Sequence, residues 1–246
     1  MINITRLLST LKHFQVNSAP AKLAVCPLCL GSSDRYHACP DCIADFPLNK
    51  HACRTCALPL PFARSGLCGR CLKQQPSQDL SFAPWLYRFP VDRMISRYKY
   101  QGSRVLGRAL ADAWLSQYQA QRSRSEGLYL PRPNVLIPCP MHPEQLQRRG
   151  FNQASELASH IGLALNIPVD RHRLIRTGRS PRQATLTRAE RLRNLKGNFR
   201  CLGKPPARVA IIDDVITTGA TADALCNTLR AAGAEHVQVW ALARTP

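Results

Sequence analysis

Apolar positions along the chain fall into blocks with different periods, and the blocks alternate. From Asn134 to Ile137 a short apolar run reads as a strand, and Gln153 to Leu165 carries Leu157, Ile161 and Leu165 at the spacing of one helix face. The run RVAIIDD, ending at Asp214, is apolar without alternation, as expected of a strand covered on both faces. A turn follows it, then a helix running to Gly233, then a last strand, HVQVWALAR. Upstream, a short strand is expected around Trp85 to Phe89, a helix ending near Tyr100, and a second helix from Val105 to about Tyr118, with Gly102 between them. Pro138, Pro140 and Arg149 mark a loop between the Asn134 strand and the next helix. Alternating strands and helices predict an α/β fold with a parallel sheet covered by helices.

The first 79 residues are different. Ile4, Leu7, Leu8 and Leu11 are spaced for a short amphipathic helix with Arg6 and Lys12 interspersed, which could pack on its own protein or lie on a membrane surface; packing is the simpler reading. Neither an unbroken apolar core nor a small-residue cleavage site is present there, so a signal peptide is not expected. No apolar run is long enough to cross a bilayer, and no integral membrane segment is expected. The stretch KQQPSQDLS, Lys73 to Ser81, is polar and aperiodic and reads as a linker. The expected organisation is a small module over residues 1–79 and a larger domain over 80–246.

Eight of the 11 cysteines form four CxxC pairs: Cys26 and Cys29, Cys39 and Cys42, Cys53 and Cys56, Cys68 and Cys71. Each CxxC turn aims two thiolates at one point, and two such turns complete the four-sulfur shell that Zn²⁺ favours. Nearly equal gaps allow either tandem pairing or a cross-brace; tandem ribbons are the favoured arrangement. A disulfide framework is the competing reading, and a chain without a signal peptide is expected in a reducing, cytoplasmic compartment where thiols bind metal instead. Four protein ligands leave no open coordination position, so two structural zinc sites are expected, with metal supplying folding free energy. Cys139, Cys201 and Cys226 read as small buried hydrophobes.

Charge adds a further constraint. With 34 Lys and Arg against 15 Asp and Glu, the formal net charge is +19, which favours a polyanionic partner. The excess concentrates between Arg171 and Arg208, where Glu190 is the one acid and Phe199 the one aromatic. Base-stacking platforms are therefore not evident in that stretch.

The candidate chemistry lies in VAIIDDVITTGAT, Val209 to Thr221. The strand delivers Asp213 and Asp214 to the carboxyl edge of a parallel sheet, where ligands sit in open α/β folds. Two carboxylates there suit ribose hydroxyls or a solvated Mg²⁺. Thr217, Thr218, Gly219, Ala220 and Thr221 add hydroxyls and free amides where the next helix begins, a phosphate cradle. A sugar 5-phosphate would fit both halves. All thirteen positions resemble the phosphoribosyl pyrophosphate (PRPP) motif of the type I phosphoribosyltransferases.

Over nearly all residues from 26 to 244 the chain resembles the ComF family, which also holds proteins once labelled gluconate-related. The resemblance is carried by the paired zinc knuckles, YKYQG at Tyr98 to Gly102, IPCP at Ile137 to Pro140, RRGFNQ at Arg148 to Gln153, and RQATLTRAERLRNLKGNF at Arg182 to Phe199, in that order. It implies a type I phosphoribosyltransferase domain behind a double zinc ribbon, with Zn²⁺ in the ribbons and Mg²⁺ accompanying PRPP. It further implies a pyrophosphate loop after Ile137 with Arg148 and Arg149 near its end. Arg182, Gln183, Arg188, Arg191 and Asn194 would belong to a flexible loop closing over bound PRPP. Members are linked to natural transformation, so the resemblance also implies DNA uptake, single-stranded DNA and a helicase-like competence ATPase as partners, and a cytoplasmic location at the inner face of the inner membrane. Two activities share this site: an accessory factor that binds PRPP, and a Mg²⁺-dependent transferase moving ribose 5-phosphate to an acceptor. No stretch of sequence identifies an acceptor pocket. With no N-terminal catalytic cysteine and no glutaminase domain in this sequence, ammonia generation from glutamine is not expected.

Overall fold

The computed structural model describes residues 24–33, 38–61, 66–123, 131–178 and 197–246. The amphipathic N-terminal stretch lies outside them, as do Arg182, Gln183, Arg188, Arg191 and Asn194.

A parallel sheet carries the C-terminal part of the chain. Its strands are β3 (Leu80–Phe82), β4 (Trp85–Leu86), β5 (Val135–Pro138), β8 (Arg208–Ile216) and β9 (His236–Arg244). The order is β3, β9, β8, β5, and β4 extends the β3 edge along β9. Both long central strands are buried on two faces, so successive residues enter different cores. Ala210, Ile212, Trp240 and Leu242 face one core, and Val209, Ile211, Val237, Val239 and Ala241 face the other. This two-sided burial explains why RVAIIDD lacks alternation.

The first core lies under α3 (Val91–Gln101), α4 (Arg104–Arg122) and α6 (Gln153–Leu165). Aromatic rings fill it: Trp114 stacks on Tyr118 at 5.3 Å, both touch Trp240, and the Trp114 indole donates to the Ala241 carbonyl at 2.9 Å. The second core lies under α7 (Ala220–Ala231), which brings Leu225, Cys226 and Leu229. The helix over Gln153–Leu165 and the strand over His236–Arg244 match the expected spans residue for residue.

Three local expectations need correction. The stretch read as a loop around Arg149 holds a short helix, α5 (Pro143–Arg149). Pro143 pre-sets its first turn, His142 Nδ1 accepts from the Glu144 amide, and Gly150 in the left-handed region (φ 77°) ends it. The linker's last residues, Leu80 and Ser81, belong to an edge strand. Finally, an antiparallel pair, β6 (Leu174–Arg176) with β7 (Phe199–Cys201), stands where only a basic stretch was read.

Short elements carry the cysteine pairs: β1 (Ala24–Val25), β2 (Ser32–Ser33), α1 (Pro40–Ala44) and α2 (Gly69–Lys73). This region is fastened to the sheet. The Phe46 ring meets Trp85 edge-on at 5.2 Å, and Cys26, Ala38 and Phe46 belong to the same core as Trp114 and Trp240. Backbone bonds join Leu86 to Pro47 and Asn49 to Pro84, and the Ser81 hydroxyl donates to the Thr55 carbonyl. Among the described residues, no helix is long and apolar enough to cross a membrane.

Candidate phosphoribosyl site and metal centres

The end of β8 places the two aspartates on opposite faces of the sheet, as successive strand residues must be. Asp214 turns toward the α3 and α6 side and is 4 % exposed. Its Oδ2 lies 2.9 Å from Lys99 Nζ and accepts from Gln153 Nε2 at 3.0 Å. Burial works against the Lys99 ammonium, but the Asp214 carboxylate outweighs it and holds this lysine above its ordinary range. Asp213 has no cation at contact distance among the described residues. Burial, reinforced by the neighbouring Asp214 charge, pushes its carboxyl up to about 7. The Asp214 amide donates to Asp213 Oδ1 at 2.8 Å, which fixes that side chain's orientation. The Cys139 thiol, beside both aspartates at the end of β5, is pushed well up by burial and by those charges, and so stays a neutral thiol.

Lys99 and Gln153 are placed by a small network. Tyr98, one residue before Lys99, lies against α4, and its hydroxyl donates to the Gln153 carbonyl at 3.1 Å and to Glu156 at 3.2 Å. Gly107 makes the approach feasible: a Cβ there would stand 2.6 Å from the Tyr98 ring. At the start of α6, Asn152 caps the helix through the Ala154 amide while its own amide donates to the Cys139 carbonyl. The YKYQG and RRGFNQ segments thus converge on Asp214. Neither Lys99 nor Gln153 announces this role in the sequence, because nothing in sequence spacing pairs them with an aspartate on a distant strand.

After β8 the chain turns through Thr217 and Thr218 to Gly219, whose φ of 79° is a left-handed conformation that glycine adopts without strain. The turn brings the first amides of α7 to the same edge as the aspartates, a helix N-terminus suited to an anion. Thr217 is exposed, and Thr218 Oγ1 accepts from the Ala220 amide at 3.3 Å. Arg148 is exposed in the last turn of α5, and the Arg149 guanidinium lies over the Tyr100 ring at 5.0 Å, next to Lys99. Arg149 Nε is buried with no hydrogen-bond partner among the described residues.

The cysteines form two four-sulfur groups, Cys26 with Cys29, Cys39 and Cys42, and Cys53 with Cys56, Cys68 and Cys71. Neighbouring knuckles therefore pair in order, as tandem ribbons. Ligand atoms within each group all lie within 4.8 Å of one another. Cys29 and Cys39 sulfurs stand 3.7 Å apart, and Cys56 and Cys68 sulfurs 3.6 Å apart. A tetrahedral zinc with bonds of about 2.3 Å requires sulfur separations of about 3.8 Å, so the donor set fits Zn²⁺. In each ribbon a backbone amide points at a sulfur: Cys39 N to Cys26 Sγ, and Cys68 N to Cys53 Sγ, both 3.3 Å. In the second ribbon the Cys56 thiol and the amides of Cys68, Cys56 and Thr55 draw the Cys53 group down to about 4, while the same contact and burial push the Cys56 thiol up, so the thiolate resides on Cys53.

The fold is thus a parallel α/β sheet that ends in an aspartate pair and a threonine and glycine turn, with two four-cysteine ribbons preceding it in the chain. Competence protein F of Haemophilus influenzae is 37 % identical over 181 residues, covering 72 % of this chain and 78 % of that protein. DNA utilization protein YhgH of Escherichia coli K12 is 32 % identical over 220 residues, covering 89 % and 94 %. The chain belongs to the ComF family. No family model matches it. Among solved structures, a purine phosphoribosyltransferase from Pyrococcus horikoshii shares 18 % identity over 67 % of this chain and 88 % of that chain, with a TM-score of 0.30, too low to bear on the argument.

Proposed function

We propose that this protein binds PRPP with Mg²⁺ at the end of β8 and serves DNA uptake as an accessory factor that handles single-stranded DNA. The observation that carries the ligand is the joining of two kinds of group at one sheet edge: the carboxylates of Asp213 and Asp214, and the amides and hydroxyls from Thr217 to Thr221 at the start of α7. The turn takes the 5-phosphate and the aspartates take the ribose hydroxyls. Lys99 and Gln153 hold Asp214 in place, which leaves Asp213 as the carboxylate whose charge a ligand hydroxyl or a hydrated cation can relieve. Magnesium, when bound, neutralises pyrophosphate charge. Arg148 and Arg149 would take the pyrophosphate, and Arg182, Gln183, Arg188 and Arg191, which lie outside the described residues, would contact the same ligand. Two structural Zn²⁺ ions fill the ribbons.

The net charge of +19 supports a polyanionic partner, and the names of the relatives, competence and DNA utilization, support DNA as that partner. On this reading the protein works in the cytoplasm, at the inner face of the membrane that DNA crosses, beside a competence helicase.

A second reading, transfer of ribose 5-phosphate to an acceptor, is favoured by one feature. Asp213 titrates near neutrality, so it could accept a proton from an attacking acceptor. Calorimetric titration with PRPP and Mg²⁺ tests the shared claim: Asp213→Ala with Asp214→Ala is expected to abolish binding in a folded protein, and unchanged affinity would reject the site. Pyrophosphate release across a panel of nucleobases and small amines separates the readings, since acceptor-dependent release makes the protein a transferase.

A further inference from the structure

The turn that follows β8 is held from one side by two arginines. Arg244, the last residue of β9 and 3 % exposed, donates from Nη1 to the carbonyls of Ile216 and Thr217. Arg70 donates from Nη1 to the Thr218 carbonyl at 2.8 Å, and its Nη2 would lie 3.4 Å from a Cβ at Gly219. Three successive carbonyls are thus occupied. A trans peptide unit points its C=O and N–H in opposite directions. Fixing the carbonyls of Ile216, Thr217 and Thr218 therefore turns the amides of Thr217, Thr218 and Gly219 the other way. Among the described residues those three amides donate to no protein group. They form an unfilled row of donors, the arrangement that receives an anion.

Both arginines lead back to the same metal centre. Arg70 lies in α2, between Cys68 and Cys71, and Arg244 Nε donates to the Cys56 carbonyl at 3.1 Å. The second ribbon packs its cysteines with Leu58, Leu60 and Leu67 as a small core of its own, so its metal is what fixes α2 and hence Arg70. Among the described residues, no hydrogen bond runs from the first ribbon to the turn.

We propose that the second ribbon, through Arg70, is part of the ligand site: Arg70 is a positioning residue that sets the amide row of the turn, and metal at Cys53, Cys56, Cys68 and Cys71 sets the affinity for a sugar 5-phosphate. This rests on the phosphoribosyl reading above and adds to it a dependence on one of the two metal sites. Nothing in it requires Arg70 to touch the ligand.

The test uses the full chain with both metals bound and ribose 5-phosphate as the probe, followed by calorimetry. Arg70→Ala should weaken ribose 5-phosphate about tenfold, the worth of one charge-assisted hydrogen bond. Metal content and melting temperature should not change, and inorganic pyrophosphate, which lacks the 5-phosphate, should bind as before. Arg70→Lys keeps a donor for the Thr218 carbonyl and should recover most of the loss. Cys71→Ser, which removes the second metal, should lose ribose 5-phosphate binding, whereas Cys42→Ser should retain it. If wild type binds ribose 5-phosphate and Arg70→Ala binds it equally well, the inference is overturned while the ligand reading stands. Equal weakening of pyrophosphate would also overturn it, by showing a general charge effect. A wild type that binds no ribose 5-phosphate takes down both.

Discussion

Lys99 Nζ and Asp214 Oδ2 stand 2.9 Å apart at the edge of the sheet, joining the YKYQG segment of α3 to the aspartate pair of β8. The pair is largely buried, with side-chain exposures of 18 % and 5 %. Removing one partner of such a pair leaves the other charge uncompensated. Lys99→Met is expected to cost about 3 kcal/mol in urea unfolding. Adding Asp214→Asn should recover a large part of it, and the coupling in that double-mutant cycle measures the pair.

Asp213 gives the site a pH dependence. Its carboxyl is raised to about 7, against about 3.9 for an unfolded aspartate. The folded protein holds this proton more tightly than the unfolded chain does. The contribution to stability is therefore full below about pH 4 and is lost as pH rises through 7. Ligand binding runs the opposite way, because hydroxyls and hydrated cations need the carboxylate. Affinity for ribose 5-phosphate with Mg²⁺ should rise between pH 6 and pH 8, with proton release in buffers of differing ionisation enthalpy. Asp213→Asn, measured alongside to remove the ligand's own phosphate titration, should flatten the profile.

Gly107 offers a packing test. In a helix interior alanine is normally better than glycine by about 1 kcal/mol. At position 107 the added Cβ would stand 2.6 Å from a Tyr98 ring tethered by its hydroxyl to Gln153 and Glu156. Overpacking costs about 1 to 3 kcal/mol, so Gly107→Ala should destabilise the protein by about 1 to 2 kcal/mol. A rise in stability would show that the ring moves freely.

Metal analysis of the purified protein should find two zinc ions per chain. Chelation should release both and unfold the ribbons, since all eight ligands are protein thiols. Because Phe46 packs on Trp85 in the main core, chelation should also lower the melting temperature of the sheet domain. Retention of an unchanged melting temperature would mean that the ribbons are structurally independent.

The sequence pattern foretold the long elements well and the short ones poorly. The helix over Gln153–Leu165 and the strand over His236–Arg244 are long enough for periodicity or unbroken apolarity to register. Nearly equal gaps between the knuckles allow tandem or cross-braced pairing alike, and the sulfur groups match the tandem arrangement that was favoured. The β6 and β7 strands escaped notice because each has three residues and carries an arginine in a strongly basic stretch. The α5 helix was hidden by prolines that read as loop, although Pro143 sits at a helix's first turn. Around the aspartates, sequence pointed to the carboxyl end of one strand and the turn after it. Lys99, Gln153, Arg70 and Arg244 escaped because long-range packing alone brings them there. A lone arginine between two metal-ligand cysteines carries no sequence signal of the carbonyl it will meet.

The most direct measurement is the structure of the protein crystallised with PRPP and Mg²⁺. Density for the 5-phosphate on the amides from Thr217 to Thr221, with ribose hydroxyls at Asp213 and Asp214, is the predicted result. Ligand bound at another face, or an empty β8 edge at saturating PRPP, would contradict the account.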